Sequence, residues 1–366
     1  MPAVAVTAVW LLIGGVGCGG DRTAVPASSR SERGRTASGS PASTSTSTST
    51  PASTTSSSMT STSVIPTTTV PAATTTVTAA VPPSTAPVTP PAQPGAPADG
   101  SPFDGIGAWV DVYDWSPTVT GGRPSVRPSA VAEMARAKVD TLYLQSSRSR
   151  ANADVVDPEV FRAFVAAAHE SGIKVVGWYL PEHADPAKDL RRLSAIAAEG
   201  VDGIGVDIEG TAVGDVGVRS SRLVALSRDL RAAVGALPLG AIVYSPLGLD
   251  LKTATWPGFP WRDIAPFYDA WLPMGYWTYR RTETPEWDDG ERYTDYNFAR
   301  LRELVGDPAA RIHMIGGIAG RFLPGQVDAF VRSVLRNGGA GGSLYGWAET
   351  TSADRTALGP LAPTSR

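Results

Sequence analysis

Two acids set two residues apart, Asp207 and Glu209 in Val201-Asp-Gly-Ile-Gly-Val-Asp-Ile-Glu209, carry the strongest chemical signal in this chain. On a strand both side chains point to one face, with Cα atoms ~6.6 Å apart. Two carboxyls that close in a low-dielectric cleft do not both ionise easily, so one pKa rises. A carboxyl that keeps its proton near neutral pH is what a general acid needs to protonate a glycosidic oxygen. Glu209, longer and nearer the end of its apolar run, is read as that acid. Asp207, one layer deeper, is read as the group that orients it or holds part of the substrate. Other polar and aromatic residues close neighbouring apolar runs: Asp111 and Asp114, Gln145, Trp178 and Glu182, Tyr244, Met274 with Tyr276 and Trp277, and Trp347 with Glu349. Carboxyls among aromatic platforms suit carbohydrate chemistry, because sugar faces stack on Trp while acids move protons. Tyr276 is read with the acids as substrate-facing, and the rest as substrate-binding. No group of His and carboxylates has metal-ligand spacing, and no Ser or Cys sits in a nucleophile elbow. Neither a metal nor a cofactor is expected.

These residues need a scaffold that brings strand ends together. From Phe103 onward, eight short apolar runs alternate with amphipathic stretches: residues 106–113, 141–145, 174–180, 203–209, 240–245, 270–277, 313–319 and 342–348. Helical periodicity covers Pro128–Lys138, Pro158–Ser171, Pro186–Glu199, Ser220–Leu237, Asp295–Val305 and Pro324–Arg336. Proline near the first turn and glycine just past the end recur, as in Pro158 and Gly172. Alternation of buried strands with helices means a parallel sheet. Eight units in about 265 residues fit a (β/α)8 barrel. An open, doubly wound sheet is the alternative, but no GxGxxG or GxxxxGK[ST] follows any run. The segment Trp256–Asp269, dense in Trp and Pro, reads as an irregular loop in place of a regular fifth helix, and the last helix must be short. In such a barrel the active face is the C-terminal end of the strands.

The pattern Asp202-Gly-Ile204…Asp207-x-Glu209 resembles the fourth-strand signature of family-18 chitinases. Met274-Gly-Tyr276 is similar to their sixth-strand Met-x-Tyr, and Trp347 to the Trp near the end of their barrel. The opening Gly105-Ile-Gly-Ala-Trp-Val-Asp111 together with the Asp-x-Glu pair also resembles family-25 lysozymes. Both families are (β/α)8 glycosidases acting on N-acetylated amino sugars. The resemblance implies that Glu209 is the acid, that Asp207 positions a 2-acetamido group and that Tyr276 hydrogen-bonds it. This chain departs from the chitinase pattern in three places. Gly205 stands where the motif has its first in-line Asp, Trp277 replaces the Asp after Met-x-Tyr, and the third-strand Ser-x-Gly-Gly is absent. The sixth-strand carboxylate of the lysozymes is absent as well. A sugar without an acetamido group requires a second carboxylate, for which Asp111, Glu182 and Glu349 are the candidates.

The rest of the chain is of another kind. Between Trp10 and Phe103 there is no aromatic residue, and between Thr36 and Ala98 no charged one. Such a segment cannot bury enough apolar surface to offset the entropy of ordering it. Residues 19–101 therefore read as a disordered, low-complexity Ser/Thr/Pro/Ala linker, and 102–366 as the glycosidase-like domain. Residues 1–18 read as a signal peptide whose apolar run is too short to span a bilayer. It ends in Gly15-Val-Gly-Cys18, which resembles a lipobox with Cys18 as the lipidated residue. The expectation is export, with the protein held at the membrane by a lipid anchor or secreted. As a coil the linker would hold its ends about 50 Å apart, enough to reach from a membrane into a cell wall.

After residue 102 the chain has 28 basic and 32 acidic residues, and no basic run interleaves with aromatics, which argues against nucleic acid. With one cysteine there is no disulfide framework. A monomer is expected. The sequence thus points to an exported glycoside hydrolase acting on a cell-envelope or environmental polysaccharide. The alternative is a non-catalytic cell-wall- or polysaccharide-binding module on the same scaffold.

Overall fold

The computed structural model describes residues 100–363. The expected signal segment, Cys18 and all but the last two residues of the expected linker lie outside the described residues. Eight parallel strands close into a barrel in sequence order. They are β1 (Gly105–Val110), β2 (Thr141–Gln145), β3 (Lys174–Tyr179), β4 (Gly203–Ile208), β5 (Leu239–Tyr244), β6 (Ala270–Met274), β7 (His313–Ile318) and β8 (Gly341–Tyr345). Each is followed by a helix: α1 (Val131–Arg136), α2 (Pro158–Glu170), α3 (Pro186–Ala197), α4 (Val216–Val234), α5 (Trp261–Ile264), α6 (Gly290–Val305), α7 (Gln326–Arg336) and α8 (Ser352–Ala357). The expected (β/α)8 barrel is the observed fold. The fifth helix is a single turn, as the Trp- and Pro-rich sequence there implies, and α8 is short.

The helices form where an apolar stripe can close on the sheet. On α2 the buried residues Phe161, Phe164, Val165 and Ala168 recur at helical spacing. Their burial stabilises the layer by ~1.5–3 kcal/mol for each large side chain. Starts are set by caps: Asp185 accepts from the Lys188 amide, Asp215 from Val218, and Asp289 from Glu291 and Arg292. Two helices begin earlier than their apolar periodicity suggests, α4 at Val216 and α6 at Gly290, because the capping Asp fixes the first turn before the stripe begins.

Pairing of Gly107 with Thr141 and of Gly105 with Gly341 closes the barrel across β1. Phe103, fully buried, plugs the lower end, and the His313 Nδ1–H donates to its carbonyl at 3.0 Å. Above the plug, the Trp109 and Tyr143 rings stack at 4.2 Å and 6°. Trp109 Nε1 donates to Ser343 Oγ at 2.8 Å, and Ser343 lies 3.0 Å from His313 Nε2. Burial pushes the His313 pKa down to about 4, so the ring is neutral. One consistent chain of donors then runs from the Trp109 indole through the Ser343 hydroxyl and His313 to the Phe103 carbonyl. This network makes a rigid floor for what lies above it.

Candidate active site

Above that floor the interior-facing positions carry Gln145, Trp178, Asp207, Tyr244 and Tyr345, with Asp111 and Glu209 one residue and Tyr276 two residues beyond their strands. Asp207 is 6% exposed, with Oδ1 buried and unpartnered. Glu209 lies at the mouth, half-buried, with Oε2 buried and unpartnered. The deep and shallow placement expected for the pair is the one observed. Burial, and then the Glu209 charge, pushes the Asp207 carboxyl well above the usual carboxylate range. Burial pushes Glu209 up to about 7. A Glu209 that is half protonated near neutral pH is poised to give a proton away.

Tyr276 and Tyr345 border the pair. The charges of Glu209 and Asp207 both raise the Tyr276 hydroxyl pKa, after burial. The ring of Tyr276 lies 5.8 Å from that of Tyr345. The Tyr345 hydroxyl donates to Asp111 Oδ2 at 3.4 Å and feels the charges of Asp111 and Asp207. Tyr345 thus hydrogen-bonds Asp111 while lying within the field of Asp207. Asp111 also accepts from the Tyr113 amide at 2.7 Å, and burial followed by the Asp114 charge raises it to about 7. Burial likewise raises Asp114, whose Oδ1 accepts from Ser125 Oγ at 3.2 Å. Glu349 is exposed on the rim, where partial desolvation of its carboxyl and then the Asp114 charge raise its pKa.

Several expected substrate-binding residues have structural work instead. The Tyr244 hydroxyl donates to the Glu209 carbonyl at 2.9 Å and so fixes the backbone that presents the acid. Gln145 accepts from the Val112 amide at 3.0 Å, and its carbonyl accepts from Trp115 Nε1 at 3.0 Å. Met274 is 7% exposed beside Tyr244, its register partner. Trp178 lies edge-on to Trp109 at 5.9 Å, with its indole nitrogen unpartnered. Glu182 sits on the β3–α3 loop, where the backbone of Pro181 and Glu182 presses on Gly210; a Cβ there would lie 2.2 Å from the Pro181 carbonyl oxygen. That glycine lets the two loops meet beside Glu209.

Two expectations are corrected. Trp277 is fully buried outside the barrel wall against Phe322 and Phe330, and its Nε1 donates to Gln326 at 3.1 Å. Trp347 packs beneath the Arg355 guanidinium at 3.7 Å, in the layer between β8 and α8. Neither indole is available to a sugar. The aromatic that β8 gives to the cleft is Tyr345, which shares the face of Ser343 by strict alternation. That signal was present in the sequence.

The raised carboxyls couple stability to pH. Between about pH 4.5 and 7 the folded protein keeps protons on Asp111 and Glu209 that the unfolded chain releases. Unfolding then releases protons, so stability falls as pH rises through this window and levels above it. Calorimetry from pH 4.5 to 8 is expected to show a falling Tm, with a smaller fall in Asp207→Asn/Glu209→Gln.

No protein-family model matches this sequence, and no curated protein matches it. Solved structures match in fold. A chitinase from Chromobacterium violaceum aligns with a TM-score of 0.50 at 17% identity, over 72% of this chain and 100% of that one. The spore cortex-lytic enzyme SleL of Bacillus megaterium gives 0.51 at 8% identity, over 72% of this chain and 75% of its own. A family-18 (GH18) chitinase from Pseudoalteromonas aurantia gives 0.50 at 13%, over 70% and 99%. At these identities the likeness is one of fold. This chain is a (β/α)8 barrel resembling those of family-18 glycoside hydrolases, as the β4 motif implied.

Proposed function

We propose that this protein is a glycoside hydrolase acting on a polysaccharide of N-acetylated amino sugars, with Glu209 as its general acid. The observation that carries the reading is the pair itself: two same-face acids at the barrel mouth, with the outer one held near neutral titration and bordered by Tyr276. The fold likeness to chitinases and to a cortex-lytic enzyme supports it.

In the substrate-assisted route, the acetamido carbonyl oxygen bonds to the anomeric carbon as the glycosidic bond breaks. Glu209 delivers its proton to the leaving oxygen, while Asp207 and Tyr276 hold the acetamido group. Water then opens the cyclic intermediate and returns a proton to Glu209. For a sugar without the acetamido group, Asp111 is the first candidate for the second carboxyl, since it hydrogen-bonds Tyr345, which also feels the Asp207 charge. Glu182 lies on a neighbouring loop and Glu349 on the rim. Export, with attachment through Cys18 or plain secretion, completes the proposal and would put the barrel at or beyond the cell envelope.

The test is reducing-end release by the purified protein on chitin oligomers, peptidoglycan glycan strands, and α- and β-glucans. Release from the first or second substrate alone is expected. Tight binding without release on any of them would favour a wall-binding module, a reading consistent with the acid missing at Gly205.

A further inference from the structure

On the segments that follow β3, β4 and β5 lies a group of side chains, His183, Arg219 and Trp256, that the proposed chemistry does not use. Arg219, near the start of α4, is only 3% exposed. Its guanidinium lies 4.1 Å over the Trp256 ring, Nη2 donates to the Thr255 carbonyl at 2.9 Å, and Nε is buried without an acceptor. Among the described residues its partners are thus a ring and a carbonyl, with no carboxylate. Neither Asp207 nor Glu209 forms an ion pair with it, and the acids on the flanking segments are engaged elsewhere. Asp215 caps α4 through the Val218 amide at 2.9 Å. Asp189 accepts from the Tyr179 hydroxyl at 3.0 Å and the His183 amide at 2.9 Å.

His183 also packs on Trp256, edge-on at 5.9 Å and 78°. It is 1% exposed, and both ring nitrogens are buried without a partner. Burial and the charges of Arg219 and Arg222 hold its pKa down at about 4, so the ring is neutral and its one N–H is unused. Arg222 Nη1 donates to the His183 carbonyl at 2.8 Å, which adds a second positive charge to this loop.

Tyr244 is what relates the group to the acid pair. Tyr244, whose hydroxyl holds the Glu209 carbonyl, feels Glu209 and Asp207 as well as the Arg219 charge. Removing a guanidinium from water without a counter-charge is unfavourable. A neutral sugar hydroxyl would return a hydrogen bond but no counter-charge. A carboxylate would return both, through charge-assisted hydrogen bonds to the planar guanidinium.

We propose that Arg219, with His183 as a neighbouring donor, forms a carboxylate subsite, and that the substrate is a glycan bearing carboxylate groups. The carboxylate is either a lactyl ether on an amino sugar or the C6 acid of a uronic acid. This rests on the glycosidase reading for the glycan, but the subsite is tested separately, by binding.

The probe protein is the full chain carrying Glu209→Gln, so that no ligand is consumed. Its Trp fluorescence is titrated with muramic-acid-containing glycan fragments, with oligouronides, and with carboxyl-reduced forms of each. At least tenfold tighter binding of the acidic form is expected in one arm, and that arm identifies the source of the carboxylate. Adding Arg219→Gln is expected to collapse the ratio towards one, whereas Arg219→Lys retains part of it. Equal binding of acidic and reduced forms by the Glu209→Gln protein overturns the subsite without any Arg219 variant, as does a preference that survives Arg219→Gln. Failure of the glycosidase reading shows elsewhere, as absence of reducing-end release by the wild-type protein.

Discussion

Glu209→Gln is expected to lower kcat/KM for reducing-end release by about 10²–10⁴-fold, the range over which general acids contribute. The substitution is nearly isosteric. The one backbone contact that presents this side chain, from the Tyr244 hydroxyl to the Glu209 carbonyl, does not involve the carboxyl. The variant should therefore fold. It should also be at least as stable as the wild type near pH 8, because a buried charge beside Asp207 has been removed. The loss should appear in kcat with little change in substrate affinity, since an amide can still hydrogen-bond but has no proton to give. An aryl glycoside with an acidic phenol distinguishes this role from a structural one. Its leaving oxygen needs little protonation, so Glu209→Gln should cost far less on that substrate than on a glycan. Equal release by variant and wild type would place the chemistry elsewhere, with Asp111 the next acid to replace.

The barrel was legible because eight apolar runs of strand length alternate with helical stripes, and all eight occur where they were expected. Helix starts were less legible, because Asp215 and Asp289 act through backbone amides ahead of any apolar periodicity. The acid pair was legible from its spacing alone. The aromatics were legible only in part, since a Trp at a strand end gives no indication of which wall it joins. Alternation from Leu272 through Met274 puts Tyr276 inside and Trp277 outside. On β8 the same rule selects Tyr345, whereas Trp347 itself opens the turn Trp347–Glu349, in which alternation no longer holds; Tyr276 still precedes the corresponding turn after β6. Arg219 and His183 carried no sequence signal. Their interest arises from partners they lack, and that is a property of packing.

Gly205 is the sharpest departure from the chitinase pattern, and restoring its carboxyl is expected to damage the protein. A Cβ on Gly205 would lie 2.9 Å from Ile242 Cδ1 and 3.0 Å from Trp178 Cβ. The first contact can yield by rotation of the Ile242 side chain, but the second presses on the root of the Trp178 side chain, which packs against Trp109. Gly205→Asp would also stack a third acid on the face that holds Asp207 and Glu209, below an Asp207 oxygen that already lacks a partner. Overpacking costs ~1–3 kcal/mol and an unpaired buried polar group a similar amount, so a loss of about 2–6 kcal/mol follows. In a domain of this size that is a Tm lower by roughly 5–20 °C. The charge contribution has its own signature. The loss should be larger at pH 8 than at pH 4.5, where the new carboxyl keeps its proton, while Gly205→Ala should show the steric part alone with no pH dependence. Adding Ile242→Ala should recover some of the steric loss, and a double-mutant cycle measures how much. A Gly205→Asp protein as stable as wild type and more active would mean that the site is a chitinase site missing one acid. The crowding around Gly205 argues instead that the floor has been repacked around a glycine, leaving Asp207 to interact with Glu209 alone.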